Sequence, residues 1–439
     1  MAFWTRQDMA RWSTPRQLRK AGLFAPEGLI LGAAHGRLLR HAGNEPVLLV
    51  ASTGAGKTSC FVLPNLLSWR ESVLVHDAKN EIHPLTAGWR STFSRVVTLS
   101  PTVATSHCYN PLDAIALRTD QEVRDVQLVS DALVDPSGKG ADRRGGTEEH
   151  FSAMASEGIN GLLLYGLYTQ RARSLGALNA LLPTMDFARW LQALRQYPHP
   201  AIQRAAWAID QAGERGERGG IITTLSRTLR LYTDPLIQRA TDRSNFTLRD
   251  LRERARPMSL YLAIPPRDQE RLRPWTRLVV RQVLDYAVSR LEGWRWRLQG
   301  IIDEFQSLDR IGTISDMVNY GRGFGVRLAL VTPSMKALEG TFGDKHPFLE
   351  ACKVQMVYDL QDAKVADVFS ARVGMTEVTR TRQLGRQRVR EQVKEPLLSS
   401  TALMGLKTHQ ALVIVGRHKV LARKTFYKED PTWFARSQL

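Results

Sequence analysis

A short segment at positions 51–59, Ala-Ser-Thr-Gly-Ala-Gly-Lys-Thr-Ser, has the composition of a loop that binds phosphate. It fits the pattern [AG]-x-x-x-x-G-K-[ST] and stands between the apolar run Val47–Val50 and an apolar stretch with helical spacing. Glycines let backbone N–H groups approach an anion, and a helix start adds unpaired donors and the positive end of its dipole. The residues expected to hold a triphosphate are Ser52, Thr53, Gly54, Ala55, Gly56, Lys57, Thr58 and Ser59.

Two adjacent acids far downstream provide the second half of a hydrolytic site. Asp303 and Glu304 follow the apolar run 298–302, which is typical of a buried strand. In phosphate-loop enzymes, an Asp at such a strand end supports Mg²⁺ and a neighbouring Glu acts on the attacking water. Neighbouring residues leave a strand in opposite directions, so the two carboxylates have separate tasks. With the loop, they predict binding and hydrolysis of a nucleoside triphosphate.

Each of these side chains has its own expected role. Lys57 reaches the β- and γ-phosphates, and the Thr58 hydroxyl ligates Mg²⁺. Asp303 supports the metal from its outer coordination sphere, and Glu304 is the general base. We therefore predict Thr58 and Asp303 as the metal-site residues, with Glu304 and Lys57 as the catalytic ones.

The elements that position these residues alternate between strand and helix, as in a parallel sheet covered by helices. Strands are predicted at 46–51, 72–76, 95–100, 258–264, 298–303, 326–332, 354–360 and 411–415, and helices at 57–69, 119–134, 274–291 and 313–320. From 150 to 253 only helical spacing remains, after a polar, glycine-rich stretch at 135–149. The predicted fold is α/β, with an all-α domain inserted in it.

This pattern divides the chain into four parts. They are a basic N-terminal lead-in (1–40), the first part of a nucleotide-binding domain (41–149), the all-α insert (150–253) and the second part of the nucleotide-binding domain (254–439).

The charge balance narrows the choice of partner. There are 61 Lys and Arg against 43 Asp and Glu, a net charge of +18. Such an excess favours a polyanion, either nucleic acid or an anionic membrane face, although a solvated basic surface is the alternative. The three cysteines have no metal-type spacing, and no stretch reaches the roughly 18 apolar residues of a membrane span. We expect the chain, as given, to be soluble.

A run of arginines lies near the C-terminal quarter of the chain. If extended, it would direct alternate positive charges to one side and track the phosphates of a single strand. The alternative is a solvent-exposed edge strand whose charges prevent it from pairing with another strand. The residues are Arg380, Arg382, Arg386, Arg388 and Arg390.

Several further segments, in this order, resemble the type IV coupling proteins of bacterial conjugation and type IV secretion, of the TraG/TraD kind. The resemblance covers nearly the whole chain, from Ala10 to Pro431. Besides the phosphate loop and Asp303-Glu304-Phe305, it rests on the segments 64–67 (Pro-Asn-Leu-Leu), 77–81 (Asp-Ala-Lys-Asn-Glu), 109–113 (Tyr-Asn-Pro-Leu-Asp), 260–265 (Leu-Tyr-Leu-Ala-Ile-Pro) and 321–325 (Gly-Arg-Gly-Phe-Gly).

The resemblance implies a RecA-like hexameric motor at the cytoplasmic face of the bacterial inner membrane. It implies ATP and Mg²⁺ as cofactors, DNA-stimulated ATP hydrolysis, and delivery of single-stranded DNA with its attached relaxase. Further partners are the ATPases and inner-membrane components of the secretion channel. In related DNA pumps, a flexible arginine like Arg322 is a finger that reaches the γ-phosphate of a neighbouring subunit; a solvated loop arginine is the alternative.

The sequence departs from the family at two points. Family members usually carry two N-terminal membrane helices, and none is found here, so a monomer is an alternative to the hexamer. The strand 326–332 usually ends in a polar residue that senses the γ-phosphate, whereas Pro333 stands here, between Thr332 and Ser334. Proline has no N–H to donate. Sensing must therefore fall to Thr332 or Ser334, or be lost, which leaves a substrate receptor with weak hydrolysis as an alternative function. A phosphate-loop pump for double-stranded DNA, resembling chromosome translocases, is a separate alternative.

Overall fold

The strand Val47–Ala51, which precedes the phosphate loop, lies near the middle of a large sheet. The structure is a computed structural model that describes residues 9–135, 147–184, 186–211, 217–343, 346–384 and 387–439. Its strands are β1 (Leu29–Ala34), β2 (Arg37–His41), β3 (Val47–Ala51), β4 (Ser72–His76), β5 (Arg95–Leu99), β6 (Met258–Leu262), β7 (Leu298–Ile302), β8 (Val326–Thr332), β9 (Val354–Tyr358), β10 (Met375–Leu384), β11 (Gln387–Pro396), β12 (Gln410–Val415) and β13 (His418–Arg423).

The main sheet has eleven strands in the order β2-β1-β13-β12-β9-β3-β8-β7-β4-β6-β5. From β9 to β5 every neighbouring pair is parallel, and β12, β13, β1 and β2 add an antiparallel flank. Strands covered on both faces need near-continuous apolar sequences, and β3 is buried at every position. Because these strands are parallel, the loops after β3, β4, β7, β8 and β9 meet at one side of the sheet, which we call the carboxyl edge; the opposite side is the amino edge.

Helices cover both faces of the sheet. They are α1 (Pro15–Lys20), α2 (Leu63–Leu66), α3 (His83–Ser91), α4 (Glu122–Val134), α5 (Thr147–Tyr168), α6 (Leu175–Leu181), α7 (Phe187–Gln196), α8 (Pro200–Gln211), α9 (Glu217–Leu229), α10 (Pro235–Thr241), α11 (Gln269–Ala287), α12 (Gly312–Tyr320), α13 (Met335–Phe342), α14 (Phe348–Ala351), α15 (Ala363–Val373), α16 (Ser400–Met404) and α17 (Pro431–Ser437).

Helices α5–α10 form a block between β5 and β6, and no strand interrupts the parts of this segment that the structure describes. One apolar core runs from one face of the sheet, at Leu48 and Leu74, into this block at Leu162 and Leu194. A second core covers the other face, where Trp89 of α3 and Trp433 of α17 are buried. The predicted α/β class, with a parallel-rich sheet and an all-α insert, is confirmed.

Strands β1 and β2 lie largely within 1–40, the segment predicted to be a lead-in. β1 pairs with β2 and, at Ala33↔Arg423, with β13, so the sheet begins before residue 40. The partner strand is supplied by the far end of the chain, which a local sequence pattern cannot reveal. The four domain boundaries remain predictions. Among the described helices, none has both the length and the apolar composition needed to cross a bilayer.

Candidate functional site

The phosphate loop leaves β3 at the carboxyl edge and turns through two glycines with left-handed backbone geometry. Gly54 has φ +82° and Gly56 has φ +86°, values that other residues rarely adopt. A Cβ on Gly56 would also lie 3.2 Å from Cys60 Sγ. Helical backbone follows directly, so its unpaired N–H groups face the loop.

The first helical turn after the loop is wider than in an α-helix. Pro64 has no N–H to continue the usual ladder, and the N–H of Leu63 reaches back to the carbonyl of Thr58. Thr58–Val62 is therefore π-helical before α2 begins, and α2 ends at Leu66. Widened turns of this kind are frequent at functional sites. The helix predicted at 57–69 is present, but shorter and partly π-helical.

Lys57 is held inside the loop and is only 6% exposed. Its Nζ donates to the carbonyl oxygens of Ala51 and Ser52, each at 3.1 Å. Burial lowers the pKa of this ammonium, and the nearby carboxylate of Asp303 works in the opposite direction. The positive charge is thus fixed within the loop that would cradle phosphates.

The Thr58 hydroxyl is hydrogen-bonded to Glu81 Oε1 at 2.9 Å. Glu81 belongs to the turn after β4, where the Asp77 carboxylate accepts the backbone N–H groups of residues 81–83. Asn80 in this turn has φ +55°. Asparagine tolerates this left-handed conformation better than most non-glycine residues, so its side chain is compatible with the turn.

Asp303 follows β7 at the carboxyl edge and is 1% exposed. Burial, and then repulsion by Glu304, raises its pKa to about 7, while Lys79 and Lys57 oppose the shift. Its Oδ1 has no hydrogen-bond partner among the described residues. A buried carboxylate oxygen left without a protein partner near Lys57 suits a water ligand of a divalent cation. Thr58 and Asp303 therefore fit the predicted Mg²⁺ site.

Glu304 has a backbone conformation that non-glycine residues seldom adopt, with φ +52°. Such strain persists only where the surroundings enforce it, and it concentrates at functional sites. The carboxylate forms an ion pair with Lys79, whose Nζ lies 3.1 Å from Glu304 Oε1. The neighbouring strand adds a further support, because the buried ring of His76 donates from Nδ1 to the carbonyl of Asp303 at 2.8 Å. The direction of the Glu304 side chain is thus set by both backbone and partner.

Pro333 directly follows β8, at the position where a polar residue that senses the γ-phosphate was expected. The hydroxyl of Thr332 is buried and donates to the carbonyl of Ser334 at 3.0 Å. The Ser334 oxygen accepts the N–H of Ala337 at the start of α13, which leaves its own proton unused by that bond. Pro333 and Ser334 line a cavity of about 380 Å³ together with Ser52. Ser334 is therefore the better placed of the two hydroxyls to contact a ligand in the phosphate loop.

Arg322 lies at the amino edge, in the helical turn Gly321–Phe324 before β8. Its Nη1 is 3.9 Å from Glu45 Oε1, two residues before β3 begins, and the side chain is 57% exposed. The phosphate loop follows the other end of β3, about 15–20 Å away for a strand of this length. The structure thus separates Arg322 from the loop of its own chain.

The arginine run forms a hairpin of β10 and β11, and its charges do not share one face. Arg380 pairs in register with Glu391, and Arg390 pairs with Thr381. Arg380 and Thr381 are neighbours and point to opposite faces, so Arg390 and Arg380 do as well. The predicted one-sided stripe is therefore wrong for these two residues. Arg386 lies outside the described residues, and Arg382 and Arg388 pair in register with Val389 and Gln383.

The reason for this error is that the two strands are antiparallel. Counting alternate positions across a chain reversal does not preserve the face, because the register of the pair decides it. Arg380 also forms an ion pair with Glu395 at 2.6 Å, whereas Arg390 is exposed.

The sequence predicted no individual role for Lys79 or Glu81, which lie in the family segment 77–81. The available signal was the place of this segment, after β4. In the sheet β4 pairs in parallel with β7, with His76 opposite Ile302, so the residues that follow each strand meet.

Comparison with known proteins extends these findings. A family model described as "Type IV secretory system Conjugative DNA transfer" matches residues 10–438. Among curated proteins, the conjugal transfer protein TraG of Escherichia coli is 28% identical, over 98% of this chain and 78% of its own length. Protein VirD4 of Agrobacterium fabrum is 27% identical, over 96% of this chain and 66% of its own length.

Solved structures of the plasmid coupling protein TrwB have the same fold. One, in complex with a non-hydrolysable GTP analogue, matches with a TM-score of 0.72 at 18% identity, over 96% of each chain. Another, in complex with ADP and Mg²⁺, matches with a TM-score of 0.70 at 19% identity and the same coverage. This likeness establishes the predicted RecA-like architecture.

Proposed function

The chain belongs to the type IV secretory system family of conjugative DNA transfer, and we propose that it is an ATP-hydrolysing motor that delivers single-stranded DNA, with its attached relaxase, to a secretion channel. The observation that carries this proposal is the meeting of the phosphate loop with Asp303 and Glu304 at one edge of the sheet. Such a site suits a triphosphate ligand, and solved structures of TrwB contain ADP with Mg²⁺ and a non-hydrolysable ATP analogue.

The chemistry follows from the side chains. Lys57 and the loop N–H groups would neutralise the phosphates, and Thr58 would bind Mg²⁺, with Asp303 holding its water ligands. Bound Mg²⁺ would supply charge that stabilises the leaving phosphate oxygens. Glu304 would orient a water and accept its proton, once its ion pair with Lys79 has opened far enough to admit the water.

We expect Lys57→Ala to bind ATP roughly 10–100-fold more weakly than the unaltered chain. The reason is the loss of one charge-assisted hydrogen bond to the phosphates, worth about 1.5–3 kcal/mol. Titration with a fluorescent ATP analogue measures the change. Lys336→Ala, at an exposed position on α13, is the matched control and should bind normally. Equal affinity of Lys57→Ala and the control would contradict the assignment of the loop.

The separation of Arg322 from its own phosphate loop supports an oligomeric motor. At the amino edge, an exposed guanidinium has no triphosphate within its chain to contact. A neighbouring subunit that presents its carboxyl edge would bring one within reach. We therefore propose a ring of subunits, which the family resemblance implies is a hexamer. The ring would work at the cytoplasmic face of the inner membrane, beside the channel ATPases and inner-membrane components.

The DNA partner is supported by the net charge of +18. We expect the logarithm of the affinity for single-stranded DNA to fall with the logarithm of salt concentration, by about 0.7 for each neutralised phosphate. If the exposed face of β11 tracks DNA, Arg390→Ala lowers this slope by about 0.7. Fluorescence anisotropy at four salt concentrations measures it.

Arg380→Ala is the matched control for that measurement, since this residue lies on the other face of the hairpin and is already paired with Glu395. A lower slope in Arg390→Ala alone supports contact through that face. Unchanged slopes in both variants would remove the hairpin from the DNA-binding surface.

One observation favours a second candidate, a substrate receptor with weak hydrolysis. Pro333 stands at the sensor position, and the Thr332 hydroxyl is already bonded to Ser334. Unless Ser334 senses the γ-phosphate instead, such a site would bind nucleotide but couple it poorly to DNA. DNA-stimulated turnover distinguishes the two candidates, because only the motor should turn over ATP faster when single-stranded DNA is added. A pump for double-stranded DNA should instead be stimulated more by duplex DNA.

A further inference from the structure

Lys424 is a buried lysine that contacts the backbone of the phosphate loop, although it lies at the far end of the chain. It follows β13 directly, and β13 is separated from β3 by β12 and β9. The antiparallel pairing of β12 with β9 and β13 brings the end of β13 to the carboxyl edge, beside the end of β9. From there the lysine side chain reaches the loop.

The ammonium group has two contacts that fix its place. Its Nζ donates to the carbonyl oxygen of Ala55 at 2.9 Å and lies 4.5 Å from the centre of the Tyr358 ring. The residue is 5% exposed, and burial lowers the pKa of the ammonium. Burying a cation is costly unless it is compensated. Here a loop carbonyl and an aromatic face provide the compensation.

The contact with Ala55 has a consequence for the next residue. The carbonyl of Ala55 and the N–H of Gly56 belong to one planar trans peptide, so they point in opposite directions. A donor that holds the carbonyl therefore also aims the N–H, here away from Lys424. Gly56 has φ +86°, where the absence of a Cβ leaves the peptide plane free to rotate unless something holds it. A charged donor on the carbonyl also strengthens the N–H as a donor.

We propose that Lys424 is a positioning residue for the phosphate loop: it holds the Ala55–Gly56 peptide so that the Gly56 N–H is presented to the β-phosphate, and it adds a fixed positive charge behind the loop. This inference rests on the proposed nucleotide binding. Two neighbouring hydrogen bonds also hold the phosphate loop and the helical turn after it in place. Thr425 Oγ1 donates to the carbonyl of Cys60 at 3.2 Å, and Ser52 Oγ donates to the carbonyl of Asp359 at 2.7 Å.

The test compares Lys424→Met with Lys419→Met. Methionine fills the space of the lysine without its charge or donor, and Lys419 is a half-buried lysine of β13 whose pKa is likewise lowered by burial. The expected result is a roughly 10–100-fold higher dissociation constant for a fluorescent ADP analogue with Mg²⁺ in Lys424→Met. Lys419→Met should bind ADP as tightly as the unaltered chain does.

A melting curve separates positioning from a merely structural role. Lys424→Met should melt near the unaltered protein in the absence of ADP, and only the rise in melting temperature caused by ADP should be lost. Lys424→Arg retains a charged donor and should recover part of the affinity. If Lys424→Met does not fold, Lys424→Gln is measured in its place, and loss of the ADP-induced rise is again expected.

Normal ADP affinity in Lys424→Met, or in Lys424→Gln if that variant is needed, would overturn the proposal. That result can be told apart from a failure of the proposed function. If the unaltered chain binds no ADP, the nucleotide site itself is wrong. If the unaltered chain binds ADP, Lys57→Ala binds it more weakly and Lys424→Met binds it normally, only the role of Lys424 fails.

Discussion

Replacing Arg322 by alanine should reduce ATP turnover by roughly 10³–10⁵-fold while leaving nucleotide binding intact. An arginine finger stabilises charge on the transferred phosphoryl group in the transition state, so its loss affects the rate and not the affinity. The structure places this side chain at the amino edge, beside Glu45 and a strand length from its own phosphate loop. If Arg322 is a finger, this position means that it acts across a subunit boundary.

Mixing two inactive variants tests that geometry. An Arg322→Ala subunit has an intact phosphate loop and lacks only a finger, which a Lys57→Ala neighbour still has. Mixtures should therefore recover part of the turnover, with a maximum at an intermediate ratio. Arg417→Ala, at an exposed turn between β12 and β13, is the matched control and should remain active. Absence of recovery at every ratio would exclude the finger in trans and the ring built on it.

Replacing Glu304 by glutamine should slow hydrolysis by about 10²–10⁴-fold. The amide has nearly the same shape but cannot accept the proton of the attacking water. ATP binding should persist, because Lys57, Thr58 and Asp303 are unchanged. Single-turnover hydrolysis and titration with a fluorescent ATP analogue measure the two quantities separately.

The control for this substitution is Glu339→Gln, an exposed acid on α13. It changes the same charge without touching the site and should leave turnover unaltered. Full turnover in Glu304→Gln would mean that another group activates the water.

The sequence predicted the parts of the site that depend on local order. Strand, loop and helix around Lys57 are consecutive in the chain, so composition and spacing predict their geometry. The same holds for Asp303 and Glu304 at the end of an apolar strand. That the two halves meet follows from parallel strands in one sheet, which alternation of strands and helices indicates.

What the sequence could not predict depends on contacts between distant segments. Lys424 reaches Ala55 only because β9, β12 and β13 lie side by side in an order that the chain does not follow. The face of Arg390 depended on the register of a hairpin. The net charge was also an imperfect guide, since Arg90 and Arg252 are buried and bond to backbone carbonyls instead of facing a partner.

The central claim, an ATP-driven motor stimulated by single-stranded DNA, is tested most directly by ATP turnover at saturating ATP with and without DNA. We predict that single-stranded DNA raises turnover several-fold above its basal value, that double-stranded DNA of the same length raises it less, and that Glu304→Gln abolishes the rise. Greater stimulation by double-stranded DNA would indicate a duplex pump instead. Nucleotide binding with turnover that neither DNA changes would contradict the motor and favour the receptor indicated by Pro333.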